Sequence, residues 1–452
     1  MNSGEGQAGA ARLPRLSVRG LYFLGLGIAL FAGAFVGGRS DVLFIASFLI
    51  MVPLVAVFSV LIHPIRLRVT RVFRPSIVPA GSDAIVSVQL RNLESRPVYG
   101  TSWRDAVDDG LTRPPGTLLP ALDRYTPGAD GGPDTASIEY TLTPRQRGIY
   151  GVGPVIISRS DPFGMASSER RIGEPHDLIV TPRITLLPGN GISLASGDGV
   201  MHELLRHINP NSDELIAREY RPGDPLRRVN WPATARHGEI MVRQEEQRSN
   251  PEARIILDTT LSGHQPQGEL GFDPDQRHIQ AFELAIEMVA SVGIHLMSAG
   301  FLLHVVETGR TQLSPAALSD SGGLDGGTPS TFKFPGGDRS LLEGLASVVP
   351  LTVSRSDEES NTSWSVASSA TSSTPIPTFA ILVDPDDEET TRLAAFRTRA
   401  KPAIAFVLDT VKRSAVEQLE GAGWTCIPLR SPRDIPEAWE RVQRQRGGIG
   451  VS

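Results

Sequence analysis

Two uncharged apolar runs near the start of the chain constrain its fold more than any other feature. They cover residues 20–38 and 42–62, and only Arg39, Ser40 and Asp41 separate them. A bilayer core about 30 Å thick needs roughly 20 apolar residues in a helix, so each run is long enough to cross it. The two runs therefore predict a transmembrane hairpin. A cleaved signal peptide or a pair of buried core helices is the alternative, which the length of both runs disfavours.

Arginines flank this hairpin on one side only. Three precede the first run and four follow the second: Arg12, Arg15, Arg19, Arg66, Arg68, Arg71 and Arg74. Cytoplasmic flanks of membrane helices carry an excess of basic residues. We therefore expect a multi-pass protein of the cell membrane with both termini in the cytoplasm. Gly33 and Gly37 form a small-xxx-small pair, whose simplest partner is the second run; a homodimer is the alternative.

Composition excludes several classes of function. The single cysteine, Cys426, cannot form an internal disulfide, which suits a reducing cytosol. The net charge of −6 gives no electrostatic basis for binding nucleic acid. The sequence contains no glycine-rich phosphate loop ending in Lys-Ser or Lys-Thr, so we expect no bound nucleotide. The oligomeric state is left open.

The pattern of the chain changes twice after the hairpin, which we place in residues 1–64. Residues 65–185 alternate apolar and polar positions between turn signals, which predicts a β-rich, sandwich-like domain. Residues 186–250 form a connecting segment. Residues 251–446 alternate strand and helix patterns, which predicts a doubly wound α/β domain. Its Gly-rich stretch 319–337 and its Ser/Thr-rich stretch 354–374 are expected to be disordered loops.

Residues 258–262, Asp-Thr-Thr-Leu-Ser, follow the first predicted strand of the α/β domain. Ligands of open α/β sheets bind at the carboxyl ends of the strands. Asp258, Thr260 and Ser262 offer a carboxylate and two hydroxyls there, and such oxygen ligands suit Mg²⁺ or Mn²⁺. Asp384, which ends a later strand, is a candidate second carboxylate. The alternative is that Asp258 caps a helix and the hydroxyls serve a turn.

A second group of polar and aromatic residues surrounds a tight Pro-Gly-Asp turn at 222–224. Its arginines, acids and aromatic rings favour either a clasp between the two soluble domains or a partner surface. The residues are Arg218, Glu219, Tyr220, Arg221, Asp224, Arg227, Arg228, Trp231 and Arg236.

The sequence REYRPGDPLRRVNWPATARHGEIMVRQEE at residues 218–246 resembles the signature of the bacterial "domain of unknown function 58" membrane proteins. The motifs Arg-Gly-Ile-Tyr at 147–150 and Asp-Pro-Phe-Gly at 161–164 resemble that family as well. The resemblance implies a von Willebrand factor A-like α/β domain, no established enzymatic activity, and frequent association with MoxR-type AAA+ ATPases. It also implies a metal-ion-dependent adhesion site, with Asp258, Thr260 and Ser262 matching its Asp-x-Ser-x-Ser pattern. Asp384 is the candidate for its last acid, and its later Thr has no assigned position within residues 308–338.

The sequence and the resemblance together favour a membrane-anchored, non-enzymatic adaptor. Its α/β domain would bind a protein partner, a MoxR-type AAA+ ATPase, through a Mg²⁺ site. The alternative is a cell-envelope assembly factor that works through the β-rich domain and whose α/β domain is purely structural. No nucleophile, base and orienting group occur together in the sequence, so we do not expect an enzyme.

Overall fold

The computed structural model describes residues 14–62, 65–127, 132–188, 217–219, 231–243, 251–261, 276–313, 330–352 and 375–447. The chain divides into two compact units, residues 1–181 and 182–452. Each unit has its own apolar core.

Two long apolar helices begin the first unit, as the apolar runs predict. Helix α1 covers Val18–Gly37 and α2 covers Ser40–Ile62. Both are long and apolar enough to cross a membrane, and most of their large apolar side chains are exposed. These helices fit a membrane-associated protein.

The close approach of α1 to α2 involves a different glycine from the predicted pair. A Cβ at Gly27 would lie 2.8 Å from Ile50 and 3.2 Å from Leu49, whereas Gly33 and Gly37 have open space around them. The predicted pair Gly33 and Gly37 is therefore not where α1 meets α2, because the close approach lies nearer the start of α1, at Gly27.

The rest of the first unit is built from short strands in two sheets. The strands are β1 (Arg15–Leu16), β2 (Leu67–Arg74), β3 (Ile77–Pro79), β4 (Ala84–Asn92), β5 (Thr101–Val107), β6 (Thr117–Leu118), β7 (Thr135–Leu142), β8 (Gly148–Ser160), β9 (Ala166–Ile172) and β10 (His176–Thr181). One sheet has the order β2-β4-β7; the other runs β1-β9-β8-β10-β3, with β5 and β6 joined through β8. All pairings are antiparallel within the described strands except β10 with β3. The two sheets share one apolar core, which includes Val86 and Leu90 from the first and Val155 and Leu178 from the second.

A buried ion pair joins the two sheets. The guanidinium of Arg71 on β2 donates to both carboxylate oxygens of Asp105 on β5, at 2.6 and 3.1 Å. Tyr140 on β7 donates its hydroxyl to the same carboxylate at 2.7 Å. Both charged side chains are completely buried. Charge and hydrogen bonding are therefore balanced inside this cluster.

The ends of the two helices contact the turn between β8 and β9, whose sequence is Asp-Pro-Phe-Gly-Met at 161–165. Ser17, the N-cap of α1, donates its amide to Met165 O at 2.7 Å and its hydroxyl to Gly164 O at 2.7 Å. Gly20 lies so close that a Cβ there would be 2.4 Å from Met165 O. Ala56 and Val60, near the end of α2, pack against Met165. The β-domain is thus attached directly to both helix ends.

The second unit alternates strands and helices. Its elements are β11 (Ala217–Glu219), α3 (Trp231–His237), β12 (Met241–Arg243), β13 (Glu252–Leu257), β14 (Thr260–Leu261), α4 (Gln276–Ser298), β15 (Leu302–Glu307), β16 (Ser330–Phe332), α5 (Gly337–Ser347), β17 (Leu351–Thr352), β18 (Ile376–Leu382), α6 (Asp387–Phe396), β19 (Ala400–Leu408), α7 (Arg413–Gly421), β20 (Thr425–Leu429) and α8 (Ile435–Gly447). A six-stranded sheet has the order β16-β15-β13-β18-β19-β20, parallel except at its β16 edge. The pairs β11-β12 and β14-β17 lie outside it.

Helices cover both faces of this sheet. Alternate residues of β13 separate into two cores: Ile255 packs with α4, α5 and α8, and Ile256 packs with α6 and α7. Helix α4 is long and apolar enough to cross a membrane, but 78% of its most apolar stretch is buried, and it packs in the first of these cores. The architecture is a doubly wound α/β sheet, as predicted.

Part of the Gly-rich stretch is ordered, contrary to the expectation of a loop over 319–337. Residues Ser330–Phe332 form the antiparallel edge strand, with Phe332 opposite Leu303. Phe332 is buried in the core, and this apolar contact outweighs the flexible composition around it. Residues 319–329 and 354–374 lie outside the described residues.

Candidate functional site

The ends of three neighbouring parallel strands bring polar residues together at one edge of the sheet. Asp258 follows β13, Thr308 follows β15, and Val383 and Asp384 follow β18. Strand β13 lies between the other two. The chain adds strands first on one side of β13 and then on the other, so this edge is a topological switch point, where ligands of α/β proteins bind.

Asp258 is the centre of the cluster. Its Oδ2 accepts hydrogen bonds from the backbone amides of Val383 and Asp384, both at 2.9 Å. Its Oδ1 lies 3.2 Å from the amide of Thr260, 3.1 Å from the Thr260 hydroxyl and 3.2 Å from the Thr308 hydroxyl. The residue has no exposed surface. The carboxylate therefore ties together the loops that follow three strands.

A second carboxylate completes the cluster. Glu389 lies in the first turn of α6, where it forms a capping box with Asp386. Its Oε1 is 2.6 Å from the hydroxyl of Thr260, which also contacts Asp258 and Thr308. One threonine hydroxyl thus lies between two buried carboxylates.

Burial makes both carboxylates resist ionisation. It raises the pKa of Asp258 to about 6, although hydrogen bonds from the amides of Asp384 and Val383 act in the opposite direction. Burial also raises the pKa of Glu389 to about 8, and the nearby charge of Asp258 contributes to this shift. In the part of the chain that the structure describes, no arginine, lysine or histidine pairs with either carboxylate. The cluster therefore lacks a positive partner there.

The structure brings only some of the predicted metal ligands together. Asp258 and Thr260 lie together as expected, Asp384 is buried and donates its amide to Asp258, and Ser262 lies outside the described residues. Among the described residues, no group of three or more His, Cys, Asp or Glu side chains could hold a metal ion. Any cation here would depend on hydroxyl ligands as well as carboxylates.

Sequence reasoning missed Thr308 and Glu389. Thr308 directly follows the apolar strand β15, the same position that Asp258 has after β13. Asp386 and Glu389 have the spacing of a capping box at a helix start, and this pattern could have identified Glu389. The carboxylate of Asp258 is buried and enclosed by five donors.

Only part of the predicted clasp lies within the described residues. Tyr220, Arg221, Asp224, Arg227 and Arg228 lie outside the described residues. Arg218 and Glu219 belong to β11, which pairs with β12. Trp231 begins α3 and is 69% exposed, and Arg236 is also exposed. The clasp and the partner surface both stay predictions.

A family model described as "Protein of unknown function DUF58" matches residues 216–295. Over these residues the chain matches the DUF58 family, as its signature predicts. The match includes the predicted signature, strand β13, Asp258 and most of α4, whereas Thr308 and Glu389 lie beyond it. The region that matches DUF58 therefore contains both the signature segment and Asp258, the centre of the polar cluster.

Two solved structures that resemble the chain have low TM-scores. A CARDB domain from Pyrococcus furiosus, solved in complex with di-metal ions, is 18% identical with a TM-score of 0.18; the match covers 26% of this chain and 88% of that one. A cycloisomaltooligosaccharide glucanotransferase from Paenibacillus sp., complexed with cycloisomaltoheptaose, is 12% identical with a TM-score of 0.18 and covers 76% and 53% of the two chains. No curated protein matches the chain.

Proposed function

We propose that this DUF58 protein is a membrane-anchored, non-enzymatic adaptor whose α/β domain, of the von Willebrand factor A-like type, binds a protein partner at the carboxyl edge of its sheet. The observation that carries the proposal is the buried pair Asp258 and Glu389, linked through the hydroxyl of Thr260. Burying two acids side by side costs stability, because burial and their mutual repulsion disfavour ionisation. A pair of this kind at a topological switch point indicates a binding function.

The chemistry of the cluster fits Mg²⁺. Its carboxylate and hydroxyl oxygens lie within hydrogen-bond distance of one another, and hard oxygen ligands are those that Mg²⁺ prefers. Asp258, Thr260, Thr308 and Glu389 would hold the cation, with Asp384 and Ser262 as further candidates. The cation would neutralise the carboxylates and accept a carboxylate of the partner.

The same contacts argue for binding rather than turnover. Thr260 beside Glu389 resembles the start of a nucleophile and base pair. Its hydroxyl is buried, however, and already contacts Asp258, Thr308 and Glu389. A hydroxyl held in this way is a ligand or a structural link, not a nucleophile open to substrate.

The partner we propose is a MoxR-type AAA+ ATPase, on the basis of the family resemblance. The signature segment adds a candidate contact surface, since Trp231, Arg236 and Ile240 are all exposed. Tryptophan and arginine are the residue types most enriched in binding hot spots.

Capture of the purified ATPase tests this proposal. The full-length protein in lipid nanodiscs is immobilised and exposed to the ATPase with Mg²⁺ or with EDTA. Capture should need Mg²⁺ and should fall strongly in Glu389→Gln, which keeps the side-chain shape but removes an ionisable ligand for the cation. Glu388→Gln is the matched control, because Glu388 is exposed in the same turn and bonds only to Arg392 among described residues. Equal capture with EDTA and by both variants would rule out the metal bridge.

A second candidate is a cell-envelope assembly factor that works through the β-domain. It is favoured by Tyr99 and Leu118, which are 71% and 77% exposed on that domain. A Tyr99→Ser/Leu118→Ser protein distinguishes the two proposals, since it should still capture the ATPase if the α/β domain is the working surface. Loss of capture in this variant alone would favour the β-domain.

The proposed orientation places both termini in the cytoplasm. The basic flanks on one side of the hairpin support it. A C-terminal reporter that is active only outside the cytoplasm should stay silent. A strong signal from that reporter would reverse the orientation.

A further inference from the structure

The turn between β8 and β9 holds an aromatic ring outside the protein, close to the helix ends. Phe163 is 67% exposed although it lies in a rigid turn. The carboxylate of Asp161 fixes that turn by accepting from the amides of Phe163 at 2.9 Å and Ala166 at 2.6 Å. Gly164 adopts φ +65°, a left-handed conformation that glycine provides without strain. The exposure of Phe163 is therefore a fixed property of the turn.

The length of α1 places this turn at the edge of the bilayer. Its 20 residues span about 30 Å, which equals the thickness of the hydrocarbon core. The helix thus has no length to spare, and its N-cap Ser17 must lie at the boundary of the hydrocarbon. Ser17 bonds directly to Met165 and Gly164, so the turn lies at the same boundary.

Contacts with α2 place the turn at the same depth. Met165 packs with Val60 and Ala56, which precede the end of α2 at Ile62. With a rise of 1.5 Å per residue, these positions lie about 3 and 9 Å inside the helix end. Apolar groups of interfacial segments insert about 5–10 Å into the boundary between headgroups and acyl chains. The turn reaches the same zone.

The charges beside the turn suit a lipid surface. Arg15 on β1 and Arg19 in the first turn of α1 are both exposed. Strand β1 pairs with β9 immediately after the turn, with Arg15 opposite Ser167. Basic side chains at this level attract anionic headgroups, while an apolar ring inserts below them.

We propose that the Asp161–Met165 turn is a membrane-interface anchor, in which Phe163 inserts into the lipid and Arg15 and Arg19 face the headgroups. The β-domain would then contact the bilayer itself, in addition to its covalent link to the hairpin. The occupant is lipid rather than another protein because the turn that carries the ring contacts the ends of two membrane-length helices.

Fluorescence quenching by brominated lipids tests the anchor. Phe163→Trp in the full-length protein is reconstituted into vesicles whose acyl chains carry bromine near the headgroup. Its emission is compared with that of the unsubstituted protein, which supplies the signal of the native tryptophans. The added emission should be largely lost with brominated lipid.

Ile149→Trp is the matched control. Ile149 is 46% exposed and lies near the opposite end of the same strand β8. It lies eleven positions before Ser160, the end of β8 next to the turn, a distance of about 36 Å at 3.3 Å per residue. Its added emission should not change with brominated lipid.

Two outcomes would overturn the proposal. If brominated lipid does not quench the added emission of Phe163→Trp, the ring lies in water. If that unquenched emission is also shifted to shorter wavelength, the ring lies against protein. If Phe163→Trp does not fold, a spin label on Phe163→Cys in a Cys426→Ser background measures the same depth through collisions with oxygen and with an aqueous nickel reagent. Greater accessibility to nickel than to oxygen would equally exclude insertion.

Discussion

Each unit of the molecule buries a carboxylate at the centre of a polar cluster, and the two clusters differ in what balances the charge. Asp105 in the β-domain faces the guanidinium of Arg71 and the hydroxyl of Tyr140. Burial and the Asp105 charge raise the pKa of Tyr140, so its hydroxyl remains a donor. Among the described residues, Asp258 in the α/β domain has only neutral donors around it, and the neighbouring acid is another carboxyl group, Glu389.

This difference separates a structural cluster from a candidate functional one. The Arg71–Asp105 cluster is complete, because every charge has its opposite and the pair joins two sheets. The Asp258–Glu389 cluster is incomplete within the described residues, since burial leaves two acids without a cation. A fold that needed only stability would not require the second acid, and the incomplete cluster is therefore where binding should occur.

Breaking the complete cluster should have the largest effect. Arg71→Ala leaves Asp105 buried without its partner and should lower the free energy of unfolding by about 3–5 kcal/mol. Denaturant titration of the full-length protein in detergent, followed by tryptophan fluorescence, measures the change. Arg104→Ala is the control: its pair with Glu169 is partly exposed, at 47% and 42%, and should contribute about 0–1 kcal/mol. Equal losses in the two variants would show that Arg71 is not a buried partner.

Removing the central acid of the incomplete cluster should come next. Asp258→Ala leaves the amides of Val383 and Asp384 without an acceptor, and an orphaned buried donor costs about 1–3 kcal/mol. Asp258→Asn keeps an acceptor for these amides and should lose less. The same denaturant titration measures both. If the alanine variant were as stable as the asparagine variant, the five-donor arrangement would not be holding the strand ends.

The incomplete cluster should also give a pH dependence that the complete one lacks. Glu389 and Asp258 have folded pKa values of about 8 and about 6, above their ordinary values of 4.5 and 3.8. The folded state therefore binds more protons, and this contribution to stability is full below about pH 4 and is lost as the pH rises through 6 and 8. Glu389→Gln should flatten the upper part of this decline, and Glu388→Gln should not.

The effect of added Mg²⁺ on thermal stability also tests the Asp258–Glu389 cluster. A cation that binds only the folded state stabilises it, and it competes best when both carboxylates are ionised. The thermal midpoint should rise with Mg²⁺ more at pH 8 than at pH 5, and less in Glu389→Gln. An equal rise in the variant would place the cation elsewhere.

The smallest effect belongs to an exposed residue outside both clusters. Trp231→Ala should change the free energy of unfolding by no more than about 0.5 kcal/mol, as is usual for surface positions. A much larger loss would mean that the ring is covered in the native protein. Loss of partner capture without loss of stability would identify Trp231 as part of the binding surface.

Local patterns predicted the fold well where they coincided with burial. The apolar runs gave α1 and α2, and the apolar face of residues 276–299 gave α4 within one residue of its observed end. Composition and length alone would not separate these helices, since α2 and α4 both have 23 residues and qualify as membrane spans. Only 22% of the most apolar stretch of α2 is buried, against 78% in α4. The polar positions along α4 indicated the difference.

Patterns failed where the decisive contact joins distant segments. Thr260 lies near Asp258 in sequence and was predicted, but Glu389 is 129 residues from Thr260. The spacing of residues within a short segment cannot predict that the first turn of α6 lies over the end of β13. Phe332 became part of an edge strand for the same reason, because its partner Leu303 precedes a stretch rich in glycine and serine. The exposure of Trp231 could not be deduced from its type, since tryptophan occurs both in cores and at binding surfaces.

The hydroxyl of Ser17 serves two structures at once, since it caps α1 through the amide of Gly20 and bonds to the carbonyl of Gly164. No flexible linker lies between that helix end and the turn. A thinner bilayer makes a spanning helix adjust its tilt, and α1 cannot tilt without moving the turn. If α1 spans the bilayer, a change in bilayer thickness therefore changes the inclination of the β-domain as well.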